Sequence, residues 1–593
     1  MTYPIQSIIA PAFARPEALY IWSDIHCSGF EGDAPWRLEP GDTMVLDAYF
    51  NALFPDIWQK YTAVTRFGAR FALSGQARVQ IWARMRDDSS VCLADQLCST
   101  QVEIMLDSLP EETGRLYLRV VALGQVVLQG LDWITDTAPC VPVNLSVGLC
   151  TFNRESFLAE TVAALVGQIA KTPEIKQIYV VNQGKSFTDP DLLELIDGLD
   201  VTLCEQANLG GCGGFTRTMV ESINAVIPTT HHLLMDDDIV LDPRVLERVV
   251  AFLSYCTAEV ALGGQMLELE RPTRLYEAGG RLHPLWFVEN VGHGQDMAHP
   301  HTLRLFHDTP QIDYNAWWFC VIPTRTIRRI GLPPPIFIRG DDLEYGCRMK
   351  DAGVDTVPLP GCAVWHEGFA YKTSDWLLYY DLRNRLIISS LHPDGVTTPD
   401  GLYLLGFVMA IILQHRYRAA RVALKAIADS MAPIDLAMGV TLDAKHAELL
   451  AFLKRLPEIP VVSRDEVPDT VREGRLRPLN PAIPAMVYMC VTQFIGLHLV
   501  RLLPFRKRRW FPAQPQANAV GLHDYYAALD PEQTKFGVYS SNLLQLWVLT
   551  ARTFALCIRY AFKARGVATR RTSELDARRT ENAWRTMFQT PRS

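Results

Sequence analysis

The stretch HHLLMDDDIVLDP, residues 231–243, puts three carboxylates in a row, Asp236, Asp237 and Asp238, directly after the apolar Leu233-Leu234-Met235. Like charges on adjacent residues repel, and the end of a buried strand is a poor place to keep them. Either the acids turn into water or a cation stands between them. Carboxylate oxygens are hard ligands suited to Mg2+ or Mn2+, ions that keep some waters and take phosphate oxygens as further ligands. Asp236-x-Asp238 at a strand end therefore reads as a site for Mn2+ or Mg2+ carrying a diphosphate. The plain alternative is a solvated turn, or a cap at Asp242-Pro243 for the following helix.

Other stretches could join that chemistry. NLGGCGGF, residues 208–215, is a phosphate cradle in outline: Asn208 leads into Gly210 and Gly211, and clustered glycines let backbone N–H groups approach an anion. Such glycines also occur in ordinary turns. FIRGDDLEYGCRMKDAG, residues 337–353, opens a helix with Asp341 and Asp342. The helix dipole favours an ionised acid there, and an ionised carboxylate can accept a proton; an ordinary helix cap is the alternative. His366 in VWHEGFAYK follows another strand-like run, and Trp317-Trp318 lies in YNAWWFCVI. A lone His is more often structural than a ligand. Paired Trp is usually core, though its faces also stack on sugar rings.

The elements around these residues follow a clear order. From Leu145, apolar runs alternate with helical patterns: LSVGLCTFNR, SFLAETVAALVGQI, IKQIYVVNQG, DPDLLELIDGL, VTLCEQANLGGCGG, FTRTMVESINAV and HHLLMDDD. That alternation predicts a parallel, helix-covered α/β sheet, with ligands beyond the carboxyl ends of its strands. All four strand ends carry polar or glycine-rich tails: Thr151 to Arg154, Asn182 to Gly184, Asn208 to Gly214 and Asp236 to Asp238. Residues 1–144 alternate apolar and polar residues and read as a β-sandwich or small barrel, ending in the linker DTAPCVPVN. The catalytic candidate spans 145–395. Residues 396–593 read as helices near 401–431, 434–455, 483–503 and 540–566, with a Pro-rich charged loop over 457–482.

Bulk properties narrow the class. A chain of 593 residues with 49% hydrophobic and 21% charged residues is an ordered protein of several domains. Its net charge of −8 gives no case for nucleic acid. The 13 cysteines form no CxxC pair, as expected of free thiols in a reducing compartment. No signal peptide and no uninterrupted bilayer span are read. HRYRAARVALK, RLLPFRKRRWF and the Arg-rich helix after Arg552 set cations beside apolar helices, which suits an anionic membrane surface. A soluble bundle with a basic face is the alternative.

The succession TFNR, NQG, NLGGCGGFTR, MDDD, YNAWWF, an Asp pair opening a helix, WH and LRNRL (382–386) resembles the bacterial galactofuranosyltransferases. These are inverting family-2 glycosyltransferases with the GT-A fold, a Rossmann-like, mostly parallel sheet. The nearest likeness is to the mycobacterial galactan-polymerising branch, which also has a β-rich domain before the catalytic one and helices after it. The resemblance implies that Arg154, Gln183 and Asn208 contact uridine diphosphate, beside Gly210 and Gly211. Asp236, Asp238 and His366 would hold the metal, and Asp237 would lie near the donor sugar. Asp342 would be the catalytic base, with Asp341 beside it in the acceptor site, and Trp317 and Trp318 would floor the acceptor groove. It implies a UDP-galactofuranose donor, a lipid-linked glycan acceptor in cell-envelope polysaccharide synthesis, a place on the cytoplasmic face of the membrane, and room for a homo-oligomer. Two departures lie near the acceptor: Arg339-Gly340 precedes the acids where the polymerase pattern has a Trp, and Glu367 follows His366 where it has a Met. A family-2 transferase of another nucleotide sugar, or a non-catalytic glycan-binding scaffold on the GT-A fold, are the competing readings.

Overall fold

Alternating residues before the linker pair as antiparallel strands, Ala77–Met85 with Thr113–Ala122 and Gly68–Ser74 with Val126–Thr135 among them. They form two sheets, one of five strands and one of four, as a sandwich rather than a closed barrel. Apolar side chains of both sheets and of the central sheet share one continuous core. The computed structural model describes residues 1–11, 15–22, 36–198, 200–283, 288–368, 374–392, 399–433, 442–477, 483–500 and 508–591.

The central region starts with β1 (Leu145–Thr151), α1 (Glu155–Ile169), β2 (Ile175–Asn182), α2 (Pro190–Ile196), β3 (Val201–Glu205), α3 (Gly210–Ile223) and β4 (His231–Asp236). It continues through α4 (Val245–Ser254), β5 (Val260–Glu268), β6 (Leu275–Glu277), β7 (Phe319–Pro323), α5 (Thr324–Ile330), α6 (Asp341–Asp351) and β8 (Asp355–His366). The sheet order is β3-β2-β1-β4-β7-β5-β8, with Val240–Leu241 added beyond β8 and β6 beside β5. Neighbours from β3 to β4 are parallel, whereas β7 runs antiparallel to both β4 and β5. Register aligns the strand ends, since Thr151 pairs with Asn182, Asn182 with Glu205 and Cys150 with Asp236. Four polar tails from distant sequence positions thus meet at one sheet edge, as the parallel pattern requires.

After α7 (Asp375–Leu391) come α8 (Gly401–Leu413), α9 (Tyr417–Ser430), α10 (Leu442–Lys454), α11 (Ile483–Val500), α12 (Leu543–Asp576) and α13 (Glu581–Phe588). The helix expected over 401–431 is two helices, broken at His415, whose φ is +58°. The expected start of the next, residues 434–441, lies outside the described residues, as do 501–507 of the basic RLLPFRKRRWF stretch. One feature differs from expectation. Val461–Ser463, Arg472–Glu473, Arg508–Phe511, Asp524–Ala528 and Lys535–Tyr539 form a five-stranded sheet within what reads as a helical region. Strands of two to five residues are too short to establish a period-two pattern. Among the described residues no helix is long and apolar enough to cross a membrane.

Candidate active site

The first wall of the site is made by the ends of β1, β2 and β3. Asn153 adopts φ +57°, which turns the chain into α1 and puts Arg154 at its start. Gln183 follows β2 and faces inward. Its amide N–H donates to the Gly210 carbonyl at 2.8 Å, and its oxygen accepts from Leu209 N at 2.8 Å and Gln206 Nε2 at 3.1 Å. With 5% exposure it holds the glycine loop from below. Asn208 Oδ1 accepts from Gly210 N at 3.0 Å. The glycines have distinct reasons. Gly210 has φ +73°, and a Cβ there would stand 2.0 Å from the Phe337 carbonyl oxygen; a Cβ on Gly214 would stand 1.9 Å from Cys150 Sγ. Gly211 faces open space. Close packing therefore explains Gly210 and Gly214, and also Gly213, whose Cβ would stand 2.2 Å from Leu209 Cβ, while Gly211 is the one that leaves room for a ligand.

The acidic triplet splits by direction. Asp236, Asp238 and His366 can bring one ligand atom each to within 4.8 Å of one another. His366 arrives from far along the chain because Val240 and Leu241 pair with Trp365 and Val364. Its Nδ1 donates to the Glu367 carbonyl at 2.7 Å, leaving the lone pair of Nε2 toward Asp238 Oδ1 at 3.3 Å. Two acceptors at that separation need a proton or a cation between them. Arg154 also pairs with Asp238. Asp237 is turned away, 7% exposed, with Oδ2 lacking a hydrogen-bond partner. Burial, then the neighbouring Asp238 charge, pushes Asp236 up to about 6. Burial lifts Asp237 to about 7. Two carboxylates and an imidazole with an outward lone pair, held under mutual repulsion, fit a divalent Mn2+ or Mg2+.

The opposite wall begins at Gly331 and ends at Asp342. Gly340, φ +89°, turns the chain into α6. Leu343 N donates to Asp342 Oδ1 at 2.7 Å. The helix start was expected to favour ionised acids, but burial outweighs the dipole here. It raises both carboxyls, Asp341 to about 8, with the Asp342 charge as the next cause. The Asp342 charge also raises Asp236, and that of Asp236 raises Asp341, so the two acid sets feel each other across the site.

Trp317 and Trp318 are 4% and 7% exposed. Trp317 packs edge-on against Phe215 of α3 and Tyr345 of α6, joining the two walls, and Trp318 packs edge-on against Tyr276. They build the wall and offer little open face. Glu277, beside Tyr276 at the end of β6, went unnoticed in the sequence. It is 3% exposed, its Oε1 lacks a hydrogen-bond partner, and burial followed by the Asp342 charge lifts it to about 8. In YEAGG it reads as an acid before a glycine turn; only the fold buries it beside Asp342.

Residues 142–388 match the family model described as glycosyltransferase like family 2, and residues 30–136 match galactofuranosyltransferase 2 N-terminal. The galactofuranosyltransferase GlfT2 of Mycolicibacterium smegmatis is 30% identical over 384 residues, 60% of this chain and 59% of that protein. The GlfT2 of Mycobacterium tuberculosis is 27% identical over 469 residues, 73% of this chain and 72% of that protein. The chain thus spans under two thirds of the first relative and somewhat more of the second. Among solved structures, GalNAc-T7 with UDP, GalNAc and Mn2+ is 12% identical, over 42% of this chain and 48% of that one, with TM-score 0.32. The family match and the strand order give the central region the GT-A fold.

Proposed function

We propose that this protein, whose residues 142–388 match glycosyltransferase like family 2 and whose sequence is similar to galactofuranosyltransferases, transfers galactofuranose from UDP-galactofuranose to a hydroxyl of a lipid-linked glycan, with inversion. The observation that carries this reading is the meeting of two acid sets at one sheet edge, Asp236, Asp238 and His366 on one wall and Asp341-Asp342 on the other.

Asp236, Asp238 and His366 would hold Mn2+ or Mg2+, which when bound supplies positive charge to offset what gathers on the departing diphosphate. Arg154, paired with Asp238 at the start of α1, is placed to bind phosphate oxygens. Asn208 and the open backbone at Gly211 form the cradle, and Gln183 keeps its shape. Asp237 borders the sugar pocket. Asp342 takes the proton from the acceptor hydroxyl as that oxygen attacks the anomeric carbon, with Asp341 beside it. One base and no enzyme nucleophile give one displacement, so an α-linked donor yields a β-linked product. Trp317 and Trp318 back the acceptor groove.

A membrane-bound acceptor accords with the C-terminal helices. Tyr488, Ile495 and Leu499 on α11 and Leu544, Trp547 and Phe562 on α12 are more than half exposed. From Leu543 to Ser573 the chain has no acidic residue. Apolar side chains among cations suit an anionic leaflet, so we place the protein on the inner face of the cell membrane.

The test is UDP release with Mn2+ or with EDTA, across UDP-galactofuranose, UDP-galactopyranose, UDP-glucose and dTDP-rhamnose, on a lipid-tailed galactofuranose acceptor. Metal-dependent turnover of UDP-galactofuranose alone is expected. Turnover of another donor would keep the mechanism and discard the sugar. UDP binding without turnover on any donor would favour the scaffold reading.

A further inference from the structure

The LRNRL stretch has had no task so far. Its Arg383 and Asn384 lie on α7, each 1% exposed, beneath the segment that ends at Asp341. That segment is bent in a way few residues tolerate. Phe337 has φ +76°, Arg339 +70° and Gly340 +89°. Ile338 N donates to Ile336 O at 3.1 Å, closing a γ-turn around Phe337, and this hand of γ-turn is rare and strained. Two side-chain-bearing residues in the left-handed region within three positions persist only where the surroundings hold them.

Asn384 supplies most of that hold. Its Nδ2 donates to Arg339 O at 2.7 Å and Ile338 O at 2.8 Å, with a longer approach to Ile336 O at 3.3 Å. Its Oδ1 accepts from Arg383 Nε at 2.8 Å, so the amide cannot turn over without losing that bond. The same guanidinium donates through NH2 to Ile336 O at 3.0 Å and lies over Tyr380, 4.8 Å from the ring centre. From the other side, Cys212 N donates to Phe337 O at 3.1 Å, and Trp584 Nε1 donates to Pro333 O at 2.9 Å. The carbonyls of the turn are thus gathered by side chains from one helix and by the start of the glycine-rich helix.

We propose that Arg383 and Asn384 are positioning residues that hold the 336–340 turn in the one shape that presents Asp341 and Asp342 to the strand ends. This rests on the reading of Asp342 as the base. Neither residue touches the acceptor; they act through the turn's backbone. An amide suits the task because it offers two N–H groups to adjacent carbonyls and an oxygen to the guanidinium. Asp offers the same outline with no donor.

The test compares Asn384→Asp with Arg383→Gln, with Ser390→Ala as control and Asp342→Asn alongside. Ser390 lies on the same helix, but its hydroxyl donates to Ile387 O at 2.6 Å within that helix. Four quantities are read: kcat with the donor the wild type turns over, UDP affinity with Mn2+, Tm, and hydrogen exchange of the 336–343 amides. Asn384→Asp is expected to lower kcat about 10- to 100-fold, since a shift of about 1 Å suffices for that. UDP affinity should stay within about twofold and exchange over 336–343 should rise. Should Asn384→Asp not fold, Arg383→Gln reads the same quantities with a smaller kcat loss. Ser390→Ala should lower Tm alone. The proposal is overturned if kcat and exchange stay at wild-type values in the Asn384 and Arg383 variants, or if kcat, UDP affinity and Tm fall together in all three. Retained transfer by Asp342→Asn would instead sink the base assignment, and the exchange result would still decide whether the pair holds the turn.

Discussion

The two walls of the site are built differently. On the donor wall the loops after β2 and β3 set one another, since Gln183 bonds Leu209 and Gly210 and Asn208 bonds Gly210, and His366 is the group that arrives from far along the chain. On the base wall the backbone before Asp341 is held by residues far away: Asn384, 45 positions on, Cys212, whose Sγ donates to Pro334 O 122 positions on from it, and Trp584, 251 positions on. A parallel sheet aligns its own strand ends, so the donor wall comes with the fold. The base wall exists only once α7 and α13 have docked on the central region, so the two should fail separately.

The largest effects should separate the walls. Asp342→Asn is expected to cut kcat by about 10²- to 10⁴-fold, the usual worth of a general base, with metal-dependent UDP binding intact. Asp238→Asn should abolish that binding as well, which titration calorimetry with and without EDTA reads directly. Equal loss of UDP affinity in both variants would erase the distinction. Next comes the seam. Gly210→Ala brings a Cβ to 2.0 Å from Phe337 O at φ +73°, so stability should fall by roughly 2–3 kcal/mol and both walls should suffer. Gly211→Ala, in open space, should leave urea stability within about 0.5 kcal/mol.

Smaller effects concern charge. Carboxyls raised in the folded state bind protons that the unfolded chain has released. Between the unfolded value near 4 and the folded one, stability therefore falls as pH rises. Asp341 and Glu277, both near 8, and Asp237, near 7, act this way. His231 and His232, lowered to about 4 and about 3, act in the opposite sense, but only below about 6.5. From pH 7 to 8 the metal-free protein should thus lose about 2 kcal/mol, seen as a falling Tm. Mn2+ should flatten that slope, and Glu277→Gln should shrink it by removing one titrating group. Smallest for catalysis is Phe562→Glu, at a side chain 86% exposed. Partition onto anionic vesicles should drop about tenfold while transfer to a soluble acceptor is unchanged. Undiminished sedimentation with vesicles would move the membrane contact elsewhere.

Legibility follows the same division. The strand–helix succession from Leu145 to Asp238 was readable because each buried strand is a continuous apolar run and each helix has its own period. The acidic triplet was readable because three charges after such a run are out of place. Burial works against the helix dipole at Asp341 and Asp342 and raises both carboxyls, since a dipole acts along one helix while desolvation depends on everything packed around it. Glu277 escaped because its local context is a glycine turn. The five-stranded sheet of the C-terminal region escaped because its strands are too short to show alternation.

The amino-acid sequence by itself determined the parallel sheet, the edge where its ligands gather and the carboxylates placed there, because these follow from local periodicity and from where charge interrupts it. Only the tertiary structure decided that His366 joins Asp236 and Asp238, that Gln183 braces a loop, that Glu277 lies buried, and that Arg383 and Asn384 grip the turn before Asp341. Those relations run between residues far apart in the chain, and no local pattern records a distance that folding alone creates.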